Sequence, residues 1–264
     1  MRITVLGKSP AWQDAGGACS GYLIEDGTTR VLLDCGSGVF AKLRAHLDYV
    51  DLGAVIISHL HADHILDLVP FASALAYSPR QQPVPVPPSP GTPSPARPAL
   101  HAPPGASERF ATLCAGGNMQ PDHIERSFAL REYDPAQELR VGELGVRFCP
   151  VPHFVPTYAV EVATASGGRF TFSADTAPSE ALVEFAAQTD LLLIEATLPR
   201  PERAGPRGHL TPEEAGAHGR RADAGRLVLT HISDELDADR ARESAASAFG
   251  GEVQIAREGA VYEV

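Results

Sequence analysis

At 264 residues the chain is long enough for a sizeable core, in one large domain or two small ones. Its 22 Lys and Arg against 33 Asp and Glu give a formal charge of -11, with no long basic cluster, which argues against gripping a polynucleotide backbone. MRITVLGKSP shows no charged-then-apolar leader, no apolar run reaches the about 18 residues of a membrane span, and Cys19, Cys35, Cys114 and Cys149 lack CxxC spacing, so the expectation is a cytoplasmic protein with reduced thiols.

Short β-rich runs recur along the chain: RITVL (2 to 6), GYLIE (21 to 25), RVLLD (30 to 34), AVIIS (54 to 58), VRFCPV (146 to 151), YAVEVAT (158 to 164), RFTFSA (169 to 174), DLLLIEA (190 to 196), RLVLT (226 to 230) and EVQIA (252 to 256). Helix-like segments such as FAKLRAHL, ILDLVPFASALAY, PSEALVEFAAQ, TPEEAGAHGRRA and DADRARESAASAF lie between several of them. Asp26-Gly27 and Ser166-Gly167-Gly168 supply turns for two hairpins. Hairpins mixed with crossover helices predict mixed sheets covered by helices, in the α/β or α+β range.

From Ser78 to Gly105 the chain carries 11 of its 23 prolines, a density that removes ladder donors and fixes φ. The segment reads as an exposed polyproline-like loop inserted at about 78–105. A domain linker and a ligand for a proline-reading module are the other readings. The linker reading fails if one site draws residues from both sides of the loop, leaving a single domain over 1–264.

The sequence SHLHADHILDL, residues 58 to 68, puts three histidines and an aspartate within six positions directly behind the apolar run AVIIS. Packing alone does not account for them, since each polar side chain there needs a partner to offset its desolvation. His59 and His61 are presented by the loop after the strand, and Asp63 and His64 open the next helical run. His153 follows VRFCPVP, Asp175 follows RFTFSA and His231 follows RLVLT, so each lies just past the carboxyl end of a predicted strand, where α/β proteins build sites. Taken singly they are a turn residue, a helix N-cap and a loop histidine. Together the seven support a two-metal site of imidazole and carboxylate, suited to zinc and compatible with manganese or iron.

HLHADH, the later histidine, the SADT aspartate and the LTH histidine resemble the metallo-β-lactamase superfamily of binuclear metallohydrolases, and LLDCG (32 to 36) looks like its turn that supports the histidine loop. The resemblance implies an αβ/βα sandwich, two packed mixed sheets flanked by helices. It further implies one divalent ion on His59, His61 and His153, a second on Asp63, His64 and His231, and Asp175 bridging both. GHLTPEEAG (208 to 216) and IEAT (194 to 197) look like the ribonuclease Z branch, in which the histidine matching His209 aids the leaving group and Glu195 is similar to the carboxylate that orients it. Independently, Thr211, Pro212 and Glu214 suit N-cap, N1 and N3 of a capping box, which places His209 just ahead of a helix N-terminus that favours anions.

LGKSPAWQDAGGACSGYL departs from the signature that tRNA-processing members carry after their first strand, and no basic, glycine-rich arm is present. The order of SADT, IEAT, HLT and LTHI looks closest to bacterial cyclic-nucleotide phosphodiesterases. The reaction implied is attack on phosphorus by a hydroxide shared between two ions, oriented by Asp63, with His209 donating a proton or a hydrogen bond to the leaving sugar oxygen. The alternatives are a carboxylic ester, lactone or aryl sulfate hydrolase, a tRNA 3′ processing enzyme, and a non-catalytic binding protein. The expected partner is a small anionic phosphodiester, not nucleic acid and not a membrane; a homodimer is compatible with the sequence. Trp12 is a candidate to line the site mouth, His123 is a reserve candidate for substrate contact, His46 and His218 read as inert residues on solvated helix faces, and His101 stays unassigned.

Overall fold

Alternation along the strands decides the layers, because residues two apart on a strand share a face. The computed structural model describes residues 1–202 and 204–264. One sheet runs, in spatial order, β14 (Val261–Glu263), β1 (Arg2–Gly7), β2 (Gly21–Asp26), β3 (Thr29–Leu33), β4 (Ala54–Ile56), β5 (Ala99–Ala102) and β6 (Ala129–Glu132). The other runs β13 (Val253–Ile255), β12 (Leu227–Thr230), β11 (Leu191–Glu195), β10 (Arg169–Phe172), β9 (Thr157–Ala163), β8 (Leu144–Val151) and β7 (Leu139–Val141). Both sheets mix parallel and antiparallel pairs.

Ile3 and Val5, Tyr22 and Ile24, and Val31 and Leu33 point to the inner face of the first sheet, where they meet Val160, Val162, Phe170, Phe172, Leu191 and Leu193 of the second. The alternate residues Leu23, Leu32, Val55 and Leu100 face outwards onto α1 (Val39–His46), α3 (Leu68–Tyr77), α4 (Ala106–Gly116) and α5 (His123–Ser127). On the far side Leu192, Ile194, Leu227 and Leu229 pack under α6 (Glu180–Phe185) and α7 (Pro212–Arg221), with Ala245 of α8 (Ala238–Phe249) in the same cluster. The result is the four-layer αβ/βα sandwich. Both predicted hairpins are present: Asp26 pairs with Thr29 around Gly27, which has the positive φ a tight turn favours, and Ala163 pairs with Arg169.

The proline-rich segment needs one correction. Residues 79–81 form a 3₁₀ turn and most of 83–95 is exposed, but Ala99–Ala102 is not loop: it is β5, paired in parallel with β4 and β6. Four residues flanked by proline give too short an alternation to read, and the pairing partners on either side supply what local propensity lacks. A second correction concerns Asp63 and His64, which belong to a separate short helix, α2 (Ala62–Ile65), ahead of α3. Among the described residues no helix is long and apolar enough to cross a membrane.

Candidate metal centre

The carboxyl ends of strands from both sheets open onto one edge. β4 leads into His59 and His61, α2 carries Asp63 and His64, His153 follows β8, Asp175 follows β10, and His231 follows β12. All seven side chains converge. Nitrogen or oxygen atoms of His59, His61, His153 and Asp175 lie within 4.8 Å of one another, as do those of Asp63, His64, Asp175 and His231, so Asp175 belongs to both groups.

Whether cations fit can be judged from the separations and the orphaned atoms. Oδ2 of Asp175 is 3.7 Å from Nε2 of His59, 3.7 Å from Nε2 of His153 and 3.2 Å from Nε2 of His231. Its Oδ1 is 3.4 Å from Nε2 of His64, and Oδ2 of Asp63 is 3.5 Å from Nε2 of His64 and 3.7 Å from Nε2 of His231. A tetrahedral ion with bonds of about 2.0–2.2 Å sets its ligands about 3.3–3.6 Å apart, close to this spacing. Moreover, Nε2 of His59, Nε2 of His64 and Oδ1 of Asp175 are buried with no hydrogen-bond partner, a costly arrangement unless an ion satisfies them.

Outer contacts fix which nitrogen faces inward. Nδ1 of His153 donates to the carbonyl of Gly208 (2.7 Å), Nδ1 of His64 lies 2.6 Å from Oδ2 of Asp34, and Nδ1 of His231 lies 3.2 Å from Oγ of Ser20. Ser58 Oγ donates to Asp34, so it is free to accept from Nδ1 of His59 at 3.1 Å. In each of these four rings the outer contact falls on Nδ1, which leaves Nε2 facing the site. Charge agrees with this: although burial lowers it, the carboxylates of Asp175, Asp34 and Asp63 push the His64 imidazole well above its ordinary range, so the cluster favours positive charge. The Asp63 carboxyl, which burial raises, is held below the usual range by neighbouring His64 and His231.

Asp34 is the hub of the supporting shell. It sits in the left-handed region at φ 57°, tolerable for aspartate, and accepts from both the backbone N–H (2.7 Å) and hydroxyl (2.8 Å) of Ser58 as well as contacting His64. Asp34→Asn is expected to weaken cation affinity by about 10–100-fold, measured by chelator competition. Two residues on, Gly36 meets the α2 backbone so closely that an added Cβ would run into the carbonyl oxygen of Asp63. Gly36→Ala therefore displaces Asp63, and we expect a loss of about 1–3 kcal/mol in chemical denaturation together with a reduced metal content.

A second anchoring segment follows β1. Lys8, ion-paired to Asp14, donates to the carbonyl of Ile232 (2.8 Å), while the carbonyl of Lys8 accepts from Ile232 N–H (3.1 Å) and Asp14 accepts from Asp234 N–H (3.0 Å). His231 itself has a positive φ of 50°, and its carbonyl accepts from Thr197 Oγ1. The segment that departs from the tRNA-processing signature thus secures a strained ligand backbone; sequence reading gave Lys8 no role.

His209 stands beside the ligands, with ring centroids 5.0 Å from His153 and 5.6 Å from His231. Its Nδ1 is 2.9 Å from Oε1 of Glu195, and Glu195, fully buried at the end of β11, is held by Thr176 N–H, Thr197 N–H and Thr197 Oγ1. Burial pulls the imidazole down, but the hydrogen bond and charge of Glu195 more than offset this and bring His209 to about 9. The capping box at Thr211, Pro212 and Glu214 is present, which fixes the start of α7 just behind it. Cys19, near Asp63, is not a member of either cluster, and burial first and the Asp63 charge second push its thiol up to about 12.

Among the other residues considered from sequence, His46 is exposed as expected. His218 is not on a solvated face. It is buried, accepting at Nε2 from Ser179 N–H (3.0 Å) and donating from Nδ1 to the Glu214 carbonyl (2.7 Å), so it joins α7 to the N-terminus of α6. His123 is buried on α5 with Nε2 on Ser73 Oγ (3.0 Å) and is not brought to the metal cluster. Trp12 is exposed on the loop whose neighbour Gln13 donates to Ser37. Free thiols are found at all four cysteines.

A model of the β-lactamase superfamily domain matches residues 29–232. The chain belongs to the metallo-β-lactamase superfamily. Within the superfamily it is 30% identical to a probable metallo-hydrolase, YhfI of Bacillus subtilis, over the whole length of both chains. The crystal structure of YhfI superposes with a TM-score of 0.84 at 28% identity, covering 99% of each chain. A ribonuclease Z of Halorubrum lacusprofundi is 28% identical over 100% of this chain and 97% of its own. Superfamily membership and the His/Asp clusters make the chain a metallo-hydrolase with residues suited to metal binding.

Proposed function

We propose that the chain is a binuclear phosphodiesterase of small phosphodiesters such as cyclic nucleotides. His59, His61 and His153 would hold one divalent cation and Asp63, His64 and His231 the other, with Asp175 available to both; this donor set suits zinc, with manganese or iron as alternatives. Bound there, such cations supply Lewis acidity to phosphoryl oxygens and lower the pKa of water towards about 7. Asp63, kept ionised, accepts a hydrogen bond from the nucleophile, a hydroxide whose first proton has already passed to solvent, and orients it. As the bond from phosphorus to the leaving alcohol breaks, that oxygen takes the proton from Nε2 of His209, whose Nδ1 stays on Glu195.

The observation that carries this reading is the His209–Glu195 pair: a protonated donor fixed beside a double ligand cluster suits expulsion of an alkoxide, a poor leaving group. The charge of -11 supports a small substrate. Processing of tRNA 3′ ends is the second reading, favoured by the ribonuclease Z relatives. The test joins elemental analysis to turnover on cyclic AMP, cyclic GMP, bis-p-nitrophenyl phosphate, lactones, aryl sulfates and precursor tRNA. Hydrolysis of the small diesters above the rest is expected. Preference for lactones, aryl sulfates or precursor tRNA overturns the reading, and inactivity across the panel points to a binding protein.

A further inference from the structure

An aromatic ring that keeps half its surface in water beside an active site has an unused face for stacking. Phe154 is 51% exposed and directly follows His153. Its ring centroid lies 4.9 Å from that of His153 and 6.0 Å from that of His209. The position is built: an edge of the ring packs on Gly208, where an added Cβ would strike three ring atoms, and the Gly208 carbonyl in turn accepts from His153. Trp12, Leu66, Tyr77, Val84, Val86 and Val261 are also exposed, but among the described residues the ring of Phe154 is the one of these set against both His153 and His209.

We infer that Phe154 is a stacking platform for a nucleobase carried on the leaving alcohol of the substrate. This rests on the phosphodiesterase reading, which puts the departing oxygen at His209. His209 lies between the two sides, its ring 6.0 Å from that of Phe154 and 5.6 Å from that of His231, so a group attached to that oxygen through one sugar comes within reach of the Phe154 ring. Every base has a π-face, so the platform selects for a planar ring without selecting which base. It contributes to binding away from the reacting atoms.

The experiment uses the zinc-loaded full chain and its Phe154→Ala and Phe154→Tyr variants. Two substrates are compared, cyclic AMP and the same cyclic phosphate on a ribose without a base. In parallel, the fluorescence of 2-aminopurine riboside monophosphate, which stacking quenches, is titrated with each protein. Phe154→Ala is expected to raise KM for cyclic AMP by roughly 5- to 150-fold, leaving kcat, metal content, and KM for the base-free compound unchanged, and to abolish the quench; Phe154→Tyr restores both. Equal shifts for the two substrates, no shift, or a quench that persists in Phe154→Ala overturns the platform. Should the wild-type chain quench the probe through Phe154 yet hydrolyse no diester, the platform stands for a nucleotide ligand and the phosphodiesterase reading falls. Hydrolysis without any quench has the opposite meaning.

Discussion

Asp175→Ala is expected to leave the chain without either cation, as read by elemental analysis, and with turnover reduced by several orders of magnitude. The side chain is buried, lies within 3.2–3.7 Å of four ligand nitrogens, and is the member common to both clusters. Without it, the first cluster consists of three neutral imidazoles, and the second keeps Asp63 as its one carboxylate. Removing one carboxylate from a dry site also leaves the neighbouring groups poorly compensated, so the alanine variant is also expected to lose stability. Asp175→Asn, of similar volume, separates the effects: it should fold and still bind both ions poorly. A full equivalent at each cluster in the asparagine variant contradicts the shared-ligand assignment.

The second large effect is on the rate with the metal unchanged. His209→Ala should lower kcat by about 10²–10⁴-fold on an alkyl diester, with normal metal content. Substrates with p-nitrophenolate as leaving group, which departs without a proton, should be hurt far less. The imidazole can be observed directly: in chelator-treated protein, NMR titration should place His209 at about 9, and Glu195→Gln should bring it down. The sign follows from the pair. Its contribution to stability is complete below the ordinary histidine range of about 6.5 and fades as pH rises through the folded value of about 9. An unmoved titration in Glu195→Gln dismisses Glu195 as the cause.

Much of this site was legible because the chemistry concentrates at strand ends. Runs such as RLVLT and RFTFSA announce strands by composition, and a histidine or aspartate directly behind them has few other reasons to recur. The capping box is a local signal and was read correctly at Thr211 and Glu214. What stayed hidden depends on tertiary neighbours. β5 is four residues between prolines and exists because β4 and β6 flank it. His218 looked solvated since nothing local shows that α6 begins against it. Lys8 and Phe154 offered only an unusual sequence after the first strand and an aromatic next to a ligand; their partners, Ile232 and Gly208, lie 224 and 54 positions away.

The proposed ligands come from both halves of the sandwich, four from the β4–α2 segment and three from the loops after β8, β10 and β12. Ions seated among them would act as rivets through the seam between the sheets, holding from outside what the apolar interior holds from within. Chelation would then be a mechanical event as well as a chemical one: it is expected to unpin the seam at one rim and to make the melting temperature a gauge of free cation.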